Sequence, residues 1–236
     1  IPLYLLNILI EFSFNNFINL VLFQFILTMP ILTKNNKICH FVHIPKCAGS
    51  SIEHYCEKED IKIAFLDRTL NSSLQSWNIS SPQHIDGYSL SRLFPVDFFD
   101  LGFAVVRDPI SRFLSAFKHQ LFQKKIPSNT SINLFIKDEL LNLSNEIGAF
   151  DNHFLPQSKF LIPGMNYQIF KLESGMDNIK RFIDTNMLGF KSNENILHYN
   201  ADRSKNIIKP GQLEMDLNAI TRLKDFYIED YSLFKY

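Results

Sequence analysis

Residues 38–58 place a strand-forming run, a turn of small and polar residues, and a helical run in immediate succession. The alternating, β-favouring residues at 38–44 predict a strand, and residues 50–58 predict a helix. Between His43 and Glu53 the sequence is HIPKCAGSSIE. A strand that passes directly into a helix is the building unit of α/β proteins, so this segment restricts the fold more than any other.

Apolar runs alternate with helical patterns along the rest of the chain. The continuous apolar run LGFAVV is typical of a buried parallel strand. The other predicted strands cover 61–66 and 167–173, and the predicted helices cover 87–94, 109–122, 131–141, 176–186 and one or two segments near the end. We therefore predict an α/β fold with a central, mostly parallel sheet flanked by helices.

Composition limits the classes of partner. The 24 Lys and Arg residues balance 24 Asp and Glu residues, so we predict no nucleic-acid surface, and an anionic ligand has to meet a local cluster of cations. Only Cys39, Cys47 and Cys56 are present, which fits no disulfide framework and predicts reduced thiols. His40 and His43 lie near the first two cysteines, but their spacing matches no zinc pattern, and we predict no metal site.

Residues 1–33 form a hydrophobic N-terminal extension. Its uncharged part is long enough to span a bilayer, but Asn and Gln interrupt it, and lysines follow it rather than precede it. Three interpretations compete: a membrane anchor, a buried helix, or upstream sequence before a true start at Met29. We favour the last, which predicts a cytoplasmic protein; the first predicts membrane association through this extension. The functional domain is then 34–236.

The turn after the first predicted strand has the composition of an anion-binding loop. The first amides of a helix lack partners within the helix, and the helix dipole adds partial positive charge there. Ala48 and Gly49 let a ligand approach the backbone closely. Ser50 and Ser51 add hydroxyl donors, and Lys46 adds a mobile charge. We predict a phosphate-like ligand here; the alternative is a capped helix without a ligand. The lysine precedes the small residues, so this is not a Walker A loop.

A second anion site is predicted where LGFAVV ends. Arg107 and Asp108 follow this strand, and Pro109 begins a helix. Arg112 and Ser115 are three residues apart on one helical face, and a guanidinium binds phosphate bidentately. The alternative is a structural Arg107–Asp108 pair and an exposed Arg112. Two anion sites at two strand ends of one sheet indicate a ligand with anionic groups at both ends.

These two segments resemble a known family. HIPKCAGSS resembles the 5′-phosphosulfate loop, and VVRDPISRFLSAF the 3′-phosphate segment, of sulfotransferases that use 3′-phosphoadenosine 5′-phosphosulfate (PAPS). The form is closest to the carbohydrate-type group that includes the heparan and chondroitin enzymes. Further similarities follow in the family's order, from about residue 38 to the end: DNHFLPQSKFL, KLES, HYNADRS and FYIEDYSLFKY. The pair Cys47-Ala48 replaces the commoner Thr-Ala or Thr-Gly, which removes one hydroxyl beside Lys46.

The resemblance implies that the α/β fold is of the P-loop-like, three-layer type. It also implies in-line transfer of a sulfuryl group from PAPS to a carbohydrate hydroxyl, with PAP as the other product and no metal. Lys46 would neutralise charge on the leaving oxygen. Arg107 and Ser115 would bind the 3′-phosphate. The residues implied at the 5′ end are Cys47, Ala48, Gly49, Ser50 and Ser51, and those implied in the loop near the cofactor are Asn200 and Arg203.

A hydroxyl acceptor also needs a general base, and two residues are candidates. His84 lies between the two cofactor segments, where a histidine resembles the base of the 2-O and 6-O heparan enzymes. The ordinary histidine pKa of about 6.5 suits that task, so we favour His84. Glu53, on the helix after the loop, is the alternative, although it also suits a helix-dipole role. His153 and His198 are weaker candidates for contacts with the acceptor and the cofactor.

Two other functions stay open at this point. A nucleotide-dependent kinase or other P-loop phosphotransferase would prefer ATP and need Mg²⁺. A catalytically inactive relative would bind PAP without transferring any group.

Overall fold

The computed structural model describes residues 31–64, 80–145, 147–197, 209 and 211–236. The strands are β1 (Ile31–Lys34), β2 (Lys37–Val42), β3 (Lys62–Ala64), β4 (Leu101–Val106) and β5 (Gln168–Lys171). The helices are α1 (Gly49–Lys58), α2 (Gly87–Ser91), α3 (Pro109–Phe122), α4 (Ile132–Asn145), α5 (Asp177–Ile183), α6 (Leu217–Phe226) and α7 (Ile228–Phe234). No helix in these ranges is both long and apolar enough to cross a bilayer.

The five strands form one mixed sheet in the order β3-β1-β2-β4-β5. The pairs β2–β4 and β4–β5 are parallel, whereas β1 runs antiparallel to β2 and to β3. The predicted α/β fold with parallel core strands and flanking helices is confirmed. The sequence analysis missed β1, which forms a hairpin with β2 through Asn35 and Asn36. Both have positive φ values, of 51° and 59°, which asparagine tolerates in such turns.

The parallel register brings three strand ends to one edge of the sheet. Val42 of β2 lies opposite Ala104 of β4, and Val106 of β4 lies opposite Lys171 of β5. In open α/β sheets ligands bind in the crevice outside the carboxyl ends of the strands. The turns that follow β2 and β4 are the two predicted anion sites, so the topology makes them neighbours.

Two hydrophobic clusters support this edge. The first packs the sheet against α1 and α5, with Phe41 and Phe103 stacked at a centroid distance of 4.8 Å. The second joins α3, α4 and α6 around Phe113, Phe117 and Tyr227. Burial of each such side chain contributes about 1.5–3 kcal/mol. The segments that carry the site residues are therefore anchored to two cores rather than to loops alone.

Candidate active site

The turn between β2 and α1 has an unusual backbone. Lys46 and Ala48 have φ values of 70° and 67°, in the left-handed region that non-glycine residues seldom occupy. Ala48 precedes the first residue of α1, and its side chain makes no capping hydrogen bond. Because the amides that begin a helix lack intrahelical acceptors, the start of α1 suits an anion. The strand, turn and helix predicted from HIPKCAGSS are all present.

Gly49 and His43 are in close contact at the start of α1. A Cβ atom at position 49 would lie 1.9 Å from His43 Nε2, so no side chain fits there unless the imidazole moves. The opposite ring nitrogen, Nδ1, lies 2.7 Å from Oε1 of Glu53, and both side chains are buried. The carboxylate of Glu53, the alternative base, is therefore engaged with a histidine of the same turn.

Arg107 directly follows β4 and is held through its backbone by Gln157. The Arg107 amide donates to Gln157 Oε1 at 2.9 Å, and Gln157 Nε2 donates to the Arg107 carbonyl at 2.8 Å. The thiol of Cys47 also donates to Gln157 Oε1, at 3.5 Å. Gln157 is wholly buried and connects the turn after β2 with the turn after β4. The sequence analysis quoted Pro-Gln-Ser as a family segment but did not foresee this link.

Asp230 of α7 holds the backbone of Gln157 in place. Its two carboxylate oxygens accept hydrogen bonds from the amides of Gln157 and Ser158, each at 2.8 Å. Asp230 has no solvent exposure. A buried carboxylate that accepts two amide hydrogen bonds is well compensated, so this contact joins the C-terminal helix firmly to the site.

Two hydrogen bonds of Asp108 fix the turn after β4, where the second anion site is predicted. Asp108 caps α3 by accepting a hydrogen bond from the Ser111 amide at 2.8 Å. The Asp108 amide donates to Glu173 Oε1 at 2.7 Å, which links the turn to the KLES segment after β5. Arg107 and Ser115 are both partly exposed, so their side chains remain accessible at this edge.

Arg112 does not take part in an anion site. It is fully buried and donates to the carbonyl oxygens of His153, at 3.1 Å, and of Leu155. Its guanidinium also lies over the ring of Tyr227, 5.5 Å from the centroid. The expectation that Arg112 and Ser115 share a phosphate is therefore wrong, and so is the alternative of an exposed Arg112. The physical reason is that the buried face of α3 includes position 112.

His84, the favoured base, ends a single 3₁₀ turn, Pro82–His84. Its Nδ1 atom lies 2.7 Å from Oδ2 of Asp151 and 3.1 Å from Oγ of Ser81. The amide and hydroxyl of Ser81 both donate to Asp151, at 2.5 and 2.9 Å. The imidazole is buried, and the amide side chain of Asn152 donates to the His84 carbonyl at 2.7 Å. This is a carboxylate-oriented histidine, an arrangement common to general bases.

The electrostatics of this pair favour an ionised carboxylate. Burial raises the pKa of Asp151, but the charge of His84, the hydrogen bond to it and the Ser81 amide outweigh that effect and hold the pKa well below its usual range. Burial, followed by the charge of His84, holds the pKa of His153 well below 6.5. Asp151 is therefore the anion of this cluster at neutral pH, and His153 is a neutral imidazole.

Four histidine rings of the site form a continuous row of neighbours. The ring centroids of His43 and His84 are 5.1 Å apart, those of His84 and His153 are 4.9 Å apart, and those of His153 and His119 are 4.9 Å apart. Burial and then the charge of Lys46 lower the pKa of His119 to about 4. The charges of Lys46 and of His84 therefore both act on His119.

Within the described residues, one cluster has metal-ligand character: His84, Asp151 and His153, whose ligand atoms all lie within 4.8 Å of one another. The cysteine-histidine segment considered from the sequence is packed into the core instead. Burial raises the pKa values of the Cys39 and Cys47 thiols to about 12.

Three predicted residues, His198, Asn200 and Arg203, and the N-terminal segment 1–30 lie outside the described residues. The sequence analysis missed Ser81 and Asp151 as partners of His84. Asp151 stands in the quoted DNHFLPQSKFL segment, which is the signal that could have identified it.

Comparison with known proteins gives one match. A protein-family model described as the sulfotransferase family matches residues 30–236, a range that includes all the described elements. No curated protein and no solved structure matches the chain.

Proposed function

The chain belongs to the sulfotransferase family, and on that premise we propose that it transfers a sulfuryl group from PAPS to a hydroxyl of a carbohydrate acceptor. The observation that carries this proposal is the bridge at Gln157, which joins the turn after β2 to the turn after β4. A donor with anionic groups at its 5′ and 3′ ends needs two such turns at a fixed separation.

The residues of the first turn suit the 5′ end of the donor. The α1 amides and the Ser50 and Ser51 hydroxyls provide hydrogen-bond donors, and Ala48 has no side-chain acceptor that competes for them. The positive charge of Lys46 contributes to lowering the pKa of His119. In the proposed mechanism Lys46 stabilises negative charge on the oxygen that leaves with the nucleotide.

The residues of the second turn suit the 3′-phosphate. Arg107 lies at the tip of β4 with its backbone fixed by Gln157, so its side chain starts from a defined position. Ser115 lies two turns along α3 and is partly exposed. An arginine and a hydroxyl bind a phosphate monoester strongly, and this group distinguishes PAPS from ATP.

His84 accepts the proton of the acceptor hydroxyl in this proposal. Asp151 favours a proton on Nδ1, which leaves the lone pair of the neutral ring on Nε2. As the hydroxyl oxygen bonds to sulfur, its proton passes to His84, and the Asp151 carboxylate stabilises the imidazolium that forms. Glu53 is less suited to this role because its carboxylate contacts His43.

A paired binding and transfer assay tests the proposal. Calorimetric titration of the full chain with PAP and with ATP, with and without Mg²⁺, should give tight, metal-independent binding of PAP only. A phosphotransferase would bind ATP with Mg²⁺ instead. Incubation with PAPS and a panel of neutral and acidic carbohydrates should then give a sulfated product. PAP binding without any product from the panel would count against transfer and support an inactive relative.

A further inference from the structure

We propose that His84, Asp151 and His153 form a binding site for a divalent transition metal such as Zn²⁺, and that the bound metal inhibits the enzyme. Their ligand atoms lie within 4.8 Å of one another, and two of the three residues are buried. The binding site rests on the geometry of these three residues. Its inhibitory effect rests on the proposed function.

The spacing of the three groups suits a small metal ion. Ligands at 2.0–2.2 Å from a tetrahedral metal are separated from one another by about 3.3 Å. His84 Nδ1 and Asp151 Oδ2 are 2.7 Å apart, and no separation within the cluster exceeds 4.8 Å. A metal bound here would replace the proton between His84 Nδ1 and Asp151 Oδ2, and these two atoms would move apart by roughly half an ångström.

The surrounding hydrogen bonds prepare two of the ligands. His153 Nδ1 faces the carbonyl oxygens of Phe150, at 2.9 Å, and Asp151, at 3.2 Å. Carbonyl oxygens only accept, so this nitrogen carries the proton and Nε2 keeps the lone pair. Ser81 orients the Asp151 carboxylate through its amide and its hydroxyl. Partners of this kind fix ligand orientation in metal sites.

The chemistry of the three side chains indicates which metals would bind. Two imidazoles and one carboxylate favour zinc, cobalt or iron over Mg²⁺ and Ca²⁺, which prefer sets of oxygen ligands.

Metal binding and catalysis exclude each other at His84. Coordination through Nδ1 requires the ring proton of His84 to be on Nε2, so the Nε2 lone pair that accepts the hydroxyl proton in the proposed mechanism is lost. The site is therefore inhibitory, and free zinc would set the fraction of active enzyme. Sulfuryl transfer itself needs no metal in the proposed mechanism.

Cobalt spectroscopy of the full-length protein tests the site without any substrate. Titration with Co²⁺ should produce the visible absorption of a tetrahedral ion at one equivalent per chain, and Zn²⁺ should abolish it. Asp151→Asn and His153→Gln should each weaken binding by more than the roughly 10–100-fold that a lost outer-sphere partner costs. His54→Ala is the matched control, since the His54 side chain is 39% exposed on α1 and outside the cluster.

Circular dichroism and PAP titration show whether each variant is folded. An absent cobalt band, or a band unchanged in both folded ligand variants, would overturn the site. Binding of several equivalents of Co²⁺, reduced also in His54→Ala, would overturn the site as well. In the transfer assay Zn²⁺ should inhibit the wild type, and a chelator should restore activity. Cobalt binding in a protein without transfer activity would keep the site and reject the proposed function instead.

Discussion

The side-chain amide of Gln157 forms a closed pair of hydrogen bonds with the backbone of Arg107, at 2.9 and 2.8 Å. One buried side chain therefore links the turn after β4 to the turn after β2, through Arg107 and Cys47.

Gln157→Ala should destabilise the fold and weaken PAP binding together. The change leaves the Arg107 amide and carbonyl without their buried partner, which costs about 1–3 kcal/mol per unsatisfied group. Urea unfolding and PAP calorimetry measure the two effects. Gln123→Ala, an exposed position at the end of α3, is the control and should change neither. Normal PAP affinity in Gln157→Ala would show that the bridge is not needed to hold the two turns.

Arg107→Ala should lower affinity for PAP far more than affinity for a nucleotide without a 3′-phosphate. Loss of one charged hydrogen bond costs about 1.5–3 kcal/mol, which raises the dissociation constant roughly 10–150-fold. Competition binding of PAP and adenosine 5′-monophosphate measures the difference. Arg222→Ala on α6 removes an exposed guanidinium elsewhere and should leave both affinities unchanged. Equal losses for both nucleotides would contradict a 3′-phosphate role.

His84→Ala should reduce the transfer rate by about 10²-fold or more while PAP still binds. Asp151→Asn should also slow transfer, because the imidazole loses the carboxylate that orients it and stabilises its charged form. The measurement is single-turnover transfer with an acceptor found in the screen. Glu53→Gln is the informative comparison, and a larger loss there than in His84→Ala would move the base to Glu53.

Gly49→Ala should destabilise the protein by about 1–3 kcal/mol, the usual cost of overpacking, because the new Cβ meets the His43 ring. A double-mutant cycle with His43→Ala isolates the contact. The glycine substitution should cost less when the imidazole is absent. Equal costs in both backgrounds would mean that backbone effects, not the ring, decide the residue at 49.

Stability should fall as the pH falls below about 6.5. Burial lowers the pKa of His40 to about 3 and holds that of His153 well below its ordinary value. Below pH 6.5 the two histidines take up protons in the unfolded chain but stay neutral in the folded protein. The free energy of unfolding therefore rises with pH in this range. Each group contributes up to about 1.4 kcal/mol per pH unit.

Urea unfolding between pH 7.5 and 4.5 measures this slope. His40→Gln should reduce this slope by about one group's share. Gln123→Ala removes no titratable group and should leave the slope unchanged. A slope that is the same in His40→Gln and the wild type would mean that His40 is protonated in the folded protein.

The sequence predicted the elements that local chemistry defines. The α3 bounds, Pro109–Phe122, match the prediction because proline at the first turn and the preceding Asp108 are strong local signals. Strand β1 was missed because four residues, Ile31–Lys34, carry little periodicity, and their pairing depends on a hairpin turn. Local patterns do not reveal short strands of this kind.

The candidate site was predicted in its parts but not in its connections. Ser81 and Asp151 are 70 residues apart, so no spacing rule brings them to one histidine. The burial of Arg112 was available from the pattern, since it lies on the same helical face as the buried Ala116. The residue type led to the opposite expectation, because an arginine is seldom fully buried without partners on another segment.

The contact between Asp230 and the amides of Gln157 and Ser158 makes the proposed nucleotide site depend on the last helix. Until α7 docks, these amides lack their acceptor, and the residue that spans the two turns has no fixed orientation. In a refolding experiment, PAP binding should therefore appear only when α7 has docked. Proteolytic removal of α7 should abolish the affinity for PAP even though α7 does not contact the nucleotide in the proposed site.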